Sequence, residues 1–246
     1  MDQTKEHYSY RIYADPSVAR TFDQKRFGGS IGEYVKWVQE NVVFYELPDV
    51  KGWKIADIGA GTGRLTIPLL ERGAKVTACD ASKHMLEVLK KKSNNPDLET
   101  YEVDAHSLPF KDQTFQCSLS FRMIFHVIDW KKALREICRI SNDWVIIDFA
   151  PKRGFLRLAP IWHSIKKLGS RNIQSYQTFD PDEVFKELRL NGFEVVYIDS
   201  GFFLPIAAYR LLHSRHLMHA LERIFSVLRF TKHFGSPITV FARRSR

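Results

Sequence analysis

From Ile55 to Gly63 the chain reads Ile-Ala-Asp-Ile-Gly-Ala-Gly-Thr-Gly, a short apolar run that passes into three alternating glycines and then a helical pattern. Glycine suits such a bend because its backbone can take positive φ and can approach a ligand with no Cβ in the way. The helix beyond would present unpaired backbone N–H groups. Asp57 precedes the bend, and Gly59, Ala60, Gly61, Thr62 and Gly63 form it. Two acids close the next two strand-like runs, Asp80 and Asp104. A carboxylate at the first can accept from both hydroxyls of a ribose. At the second it can accept from an adenine amino group, while the Ala105 N–H donates to a ring nitrogen. The chemistry on offer is recognition of an adenosine-type ligand. Blander readings stay open: a plain tight turn for the glycines, a helix cap for Asp80 (Ser82 can cap equally well), and a turn residue for Asp104. Dinucleotide sites use G-x-G-x-x-G, but Arg64 stands where that third glycine would fall, so a pyrophosphate fits less well.

The elements that must position these residues alternate. Strands are expected at Trp53–Ile58, Lys75–Asp80, Leu98–Val103, Phe115–Phe121, Trp144–Phe149, Phe193–Ile198 and Pro237–Ala242. Helices are expected from Arg64 to Arg72, closed by Gly73, from Lys83 to Lys92 behind a Ser82 cap, and from Trp130 to Ile140. A further helix starts at Pro181, capped by Asp180 or Thr178, and ends at Asn191-Gly192. This alternation predicts an α/β fold with a mostly parallel seven-stranded sheet and helices on both faces. Ahead of it, Ile31, Tyr34, Val35, Val38 and Val42 lie at helical spacing, and 20–29 reads as a flexible loop broken by Gly28 and Gly29. The chain therefore divides into an N-terminal helical cap segment, 1–50, and a main domain, 51–246. The main domain carries a basic helical insertion at about 205–230, between the last two strands.

A chain of 246 residues with 44% apolar and 26% charged residues can bury its own core, which excludes disorder. The three cysteines, Cys79, Cys117 and Cys138, match no metal or redox spacing and read as core residues of a protein in a reducing compartment, the cytoplasm. The polar first residues contain no apolar signal segment, and no apolar run is long enough to cross a membrane. The net charge of +9 is uneven: from Gly201 onward seven Arg and one Lys face a single acid, Glu222. An acidic partner, an anionic membrane or simple solubility would each account for it.

The stretches Asp57 to Gly63, Cys79-Asp80-Ala81-Ser82 and Asp104-Ala105-His-Ser-Leu-Pro-Phe-Lys-Asp112 resemble the ubiquinone/menaquinone C-methyltransferase-like group of class I methyltransferases. The resemblance covers roughly 57–148. It implies a Rossmann-like fold and S-adenosyl-L-methionine as cofactor. It sets Asp57 and Gly59 near the methionine amino group, and Gly61, Thr62 and Gly63 along methionine and ribose. Asp80 would hold the ribose, Ala81 and Met85 would lie against adenine, Asp104 and Ala105 would bind its edge, and Phe121 would face the sulfonium. Two positions depart from the family: Gln116 replaces the usual Asp, and Phe22-Asp23 stands where many relatives carry Tyr-Asp, so no hydroxyl is available there.

Methyl transfer from a sulfonium is an in-line displacement that needs chiefly proximity and alignment. No metal is required, and no cluster suggests one. Where the acceptor must lose a proton, His126 is the best-placed base, with His106 and His163 behind it; a structural role for each stays open. Arg122 could steer an acidic acceptor or serve only as a surface group. Acceptor contacts are expected from the N-terminal entry segment, Phe22 among it, from 151–178 and from the insertion. The insertion reads as a cap over an apolar pocket, an amphipathic face resting on an anionic membrane, or a helix packed on the sheet edge. The first expectation is a methyltransferase acting on a small hydrophobic or aromatic acceptor. Behind it stand an RNA or protein methyltransferase, for which no nucleic-acid module is present, and a protein that binds the cofactor without catalysis.

Overall fold

The computed structural model describes residues 8–47, 49–152, 177–212 and 214–245. In chain order the elements are α1 (Tyr8–Tyr13), α2 (Pro16–Phe27), α3 (Gly29–Glu46), β1 (Lys54–Ile58), α4 (Thr66–Glu71), β2 (Lys75–Asp80), α5 (Lys83–Lys92), β3 (Leu98–Glu102) and β4 (Phe115–Ser120). A 3-10 turn at Ile124–His126 follows, then α6 (Trp130–Ile140), β5 (Ser141–Phe149), α7 (Pro181–Leu190), β6 (Phe193–Phe202), α8 (Ile206–Leu212), α9 (Arg215–Val227), α10 (Phe230–Phe234) and β7 (Ser236–Arg244). The seven strands form one sheet in the order β3-β2-β1-β4-β5-β7-β6. Neighbours from β3 to β5 pair parallel, while β7 runs antiparallel to both β5 and β6. The expected mostly parallel seven-stranded α/β sheet is therefore the fold.

Local signals account for the elements that came out where expected. Ser82 accepts from the Met85 N–H and starts α5, which turns Met85, Leu86 and Leu89 inward. Asp129 caps α6, and Asp180 caps α7 with Pro181 in its first turn. One apolar layer packs Ile58, Leu134, Ile137 and Phe149 on one face of the sheet. A second packs Val43, Leu69, Phe121 and Phe241 on the other, so α3 belongs to the core of the main domain.

Three expectations are corrected. Residues 20–27 are helical, not a flexible loop: Asp15 caps α2 through the Ser17 N–H at 2.7 Å, Pro16 sits in the first turn, and the helix runs until Gly28. The helix after the glycine bend begins at Thr66 instead of Arg64, because turn geometry continues through Leu65. The insertion divides into α8, α9 and α10. Tyr209 and Met218 bury themselves against Ile31 and Val35 of α3, and none of the described insertion residues lines the cavity below. The stretch 153–176, with His163 and most of the expected acceptor-side segment, lies outside the described residues.

Candidate active site

A cavity opens at the C-terminal ends of β1, β2 and β4, the edge at which open α/β sheets bind ligands. Its floor is the glycine bend. Gly59, Gly61 and Gly63 all have positive φ, at 78°, 57° and 88°, and their surroundings give them different jobs. A Cβ on Gly59 would lie 2.6 Å from Met123 Cγ, so that glycine lets the chain after β4 approach. A Cβ on Gly63 would lie 2.3 Å from Leu89 Cδ1. Gly63 therefore packs the bend against α5, and it is not among the residues lining the cavity. A Cβ on Gly61 would meet nothing within 4 Å: it would project into open space beside the ligand-sized hollow.

Asp80 ties the floor to the next loop. Its Oδ2 accepts the Gly61 N–H and its Oδ1 the Ser82 N–H, both at 2.8 Å. Each oxygen keeps a lone pair for a ligand hydroxyl. The cap of α5 is Ser82, whose hydroxyl also donates to the Tyr13 carbonyl oxygen at 2.5 Å. Burial pushes the Asp80 carboxyl upward, against the two N–H bonds that favour its ionised form. Asp57 is buried and accepts from the Thr66 hydroxyl at 2.6 Å. Burial raises it to about 6, with the Thr66 bond and the Arg64 guanidinium opposing.

Asp104 departs from its expected place. Its Oδ1 accepts from the His106 N–H at 2.9 Å and pairs with His106 Nδ1 at 2.5 Å. Burial raises its carboxyl, but the His106 bonds outweigh this and hold it at about 2. The carboxylate thus faces His106, and the cavity is lined by its neighbours Val103 and Ala105 instead. His106 in turn accepts the Asp129 N–H at Nε2, 3.3 Å away, so both ring nitrogens stitch loops together, and His106 does not line the cavity.

The remaining expected residues Ala60, Thr62, Ala81, Met85, Phe121, Phe22, Arg122 and His126 line the same cavity. Arg122 has a φ of 60°, and its N–H is held by the buried Asp148 carboxylate, which fixes the kink at the end of β4. Its guanidinium lies over the Phe125 ring at 4.9 Å. His126 is buried in the 3-10 turn, edge-on to Tyr13 at 6.0 Å. The N-terminal segment, where acceptor contacts were expected, supplies the roof through residues the sequence did not single out, and Arg64 adds one wall. Tyr10, Tyr13 and Phe27 cover the cavity from α1 and α2. Arg64 enters between Phe27 and Phe121, at 5.3 and 5.8 Å from their rings, and is bonded to Gln39. The roof is fastened to the floor: Asp23 accepts from the Thr62 hydroxyl at 2.6 Å and pairs with Lys92.

The raised Asp57 carboxyl predicts a pH signature. A group whose folded pKa exceeds its unfolded value favours folding only while the folded state holds the extra proton, so this contribution falls as pH rises from about 4 to about 6. Asp57→Asn keeps an acceptor for Thr66 without the buried charge. Thermal denaturation should show it more stable than the parent at pH 7.5, by on the order of 2 kcal/mol, with the difference vanishing near pH 4. A constant difference across that range would contradict the assignment.

Residues 56–143 match the family described as a methyltransferase domain. The demethylmenaquinone methyltransferase of Paenarthrobacter aurescens is 32% identical over 140 residues, covering 55% of this chain and 51% of that protein. That of Corynebacterium urealyticum is 30% identical over 166 residues, covering 59% and 69%. The chain thus spans about half the length of the first relative and over two thirds of the second. The crystal structure of magnesium protoporphyrin IX methyltransferase from Synechocystis PCC 6803 superposes with a TM-score of 0.63 at 20% identity, over 96% of this chain and 92% of the other, and so shares the fold. By fold and by sequence, the chain belongs to the class I S-adenosylmethionine-dependent methyltransferases, among the relatives of the demethylmenaquinone methyltransferases.

Proposed function

We propose that the chain transfers a methyl group from S-adenosyl-L-methionine to a small, apolar or aromatic acceptor, at carbon or oxygen. The observation that carries this reading is one cavity that joins two unlike halves. The half at β1 and β2 has glycine backbone and carboxylates. The half at β4, α1 and α2 has aromatic rings, with Arg64 and Arg122 among them. The residues fit the cofactor: Gly61 leaves open the space that a side chain would fill, and Asp80 retains acceptor capacity on both oxygens. Asp80 would hold the ribose, Ala81 and Met85 would flank adenine, and Asp57 would face the methionine amino group. Ala105 would meet the adenine edge, with Asp104 reaching it only by sharing its carboxylate with His106. When bound, the cofactor supplies an electrophilic methyl on its sulfonium.

The chain's own part is then alignment and exclusion of water. Tyr13, Phe22, Phe27 and Phe121 would bracket a flat or apolar acceptor, and Arg122 would draw its oxygen side toward β4. His126, beside Tyr13, would take the acceptor's proton through its imidazole. An acceptor of this kind partitions into lipid, a setting compatible with the basic C-terminal helices. Methyl-labelled cofactor incubated with the chain and a lipophilic metabolite extract should yield labelled product in the organic phase. Label confined to RNA or protein, or none transferred, would contradict the reading. His126→Asn should lower turnover by roughly 100-fold or more with cofactor affinity within about twofold. Unchanged turnover would return His126 to an aromatic packing role.

A further inference from the structure

The insertion hides one face and leaves another bare. On α9, Met218 is buried and Leu221 packs with it against Phe202 and Ile31. Leu217, Ile224 and Leu228 repeat at spacings of seven and four, one stripe on a neighbouring face, with Val227 beside it. All four are exposed, Ile224 by 52% and Val227 by 76%. Leu211 from α8 and Phe230 and Phe234 from α10 are exposed as well. Arg215, His219 and Arg223 form the adjoining face of α9, and Arg229 and Lys232 follow at α10. The single acid of the region faces inward: Glu222 Oε1 accepts the Phe203 N–H at 2.9 Å and the Tyr209 hydroxyl.

We propose that α8, α9 and α10 form a docking surface for an anionic lipid bilayer. Leu217, Ile224, Val227 and Leu228 enter the headgroup boundary, and Arg215, Arg223 and Arg229 meet lipid phosphates. An apolar stripe bordered by cations, with no acid facing out, matches an interfacial helix lying in the plane of a membrane. Charge complementarity selects this occupant. A second copy docked on the same patch would bring more cations and no outward acid to pair with them, as a twofold contact repeats the same surface. A nucleic acid would pair with the cations and leave the aliphatic stripe in water. Trp37, stacked on Tyr34 at 6.0 Å and 57% exposed, adjoins the cationic face through the Tyr34–His219 contact, and tryptophan favours the membrane–water boundary.

The surface lies beside the cavity. β6 runs parallel to β5 because each is antiparallel to β7, so the insertion leaves the sheet at the cavity's edge. Arg210 of α8 donates to the carbonyl oxygens of Lys25 and Arg26, next to Phe27 in the cavity roof. Docking there would bring the roof to the lipid side. The docking surface stands independently of the methyl-transfer reading.

Co-sedimentation of the full chain with vesicles tests this. Capture is expected by vesicles of phosphatidylcholine mixed with phosphatidylglycerol, not by phosphatidylcholine alone, and it should fall as salt rises. Reversing Arg215 and Arg223 to Glu should weaken capture roughly tenfold or more. Leu217→Ser with Ile224→Ser, both exposed, should weaken it comparably while circular dichroism and S-adenosylhomocysteine binding stay at parent values. Equal capture by neutral vesicles, or capture untouched by both double variants, would overturn the proposal. So would a dimer that the serine variant dissolves with no vesicle capture by the parent.

Discussion

Replacing Gly61 by valine should cost the chain most of its affinity for S-adenosylmethionine while leaving it folded. Gly61 sits on the cavity floor with a φ of 57° and no atom within 4 Å of the place its Cβ would take. Two effects follow from the added isopropyl group. It occupies ligand space, which should weaken binding by roughly 100-fold or more, since ligand and side chain cannot share that volume. It also places a β-branched residue in the left-handed region, at a cost to stability of about 1–2 kcal/mol. Gly52→Val separates the two. Gly52 has a φ of 75°, lies in an exposed turn before β1 and likewise has nothing near its Cβ position. That variant should lose comparable stability and keep full cofactor affinity. Equal affinity losses in both would show that backbone strain, not ligand contact, explains the glycine.

Asp80→Ala should weaken cofactor binding by about 1–3 kcal/mol, or roughly 5- to 150-fold, the scale for losing a charged acceptor. The carboxylate matters twice, for the ribose it would hold and for the Gly61 and Ser82 N–H groups it fixes at 2.8 Å. Stability should change far less, because burial already works against this carboxyl's charge and its removal offsets part of the lost bonding. Calorimetric titration with S-adenosylhomocysteine beside a melting curve distinguishes the two effects. A large fall in melting temperature with unchanged affinity would make Asp80 a structural brace.

What the sequence disclosed follows from which forces are local. β2, α5 and α6 fall on their expected residues because Met85, Leu86 and Leu89, or Leu134, Ile137 and Cys138, face the sheet at helical spacing behind side-chain caps. α2 gives no such pattern, since Ala19 alone is buried along it. It is held by Asp23 on Thr62 and Lys92, partners about 40 and 70 residues away. The only local mark of that helix was Asp15 before Pro16. For the same reason the N-terminal segment was expected to meet the acceptor without Tyr10, Tyr13 and Phe27 being singled out, because nothing near them in the chain announces the bend they cover. Position alone also overstated two residues. Gly63 belongs to the glycine series but spends its missing side chain on Leu89, and Asp104 follows its strand but is taken by His106 two residues on. Strand order and glycine spacing say where a residue sits; which way it faces is settled by neighbours from elsewhere in the chain.

One cavity, floored by Gly61 and Asp80, should receive the adenosyl cofactor. Isothermal titration of the purified chain with S-adenosylhomocysteine, run in parallel on Gly61→Val and Gly52→Val, decides whether it does. A single saturable site per chain is expected, lost with Gly61→Val and intact with Gly52→Val. No saturable heat from the parent chain, or undiminished binding by Gly61→Val, would contradict it.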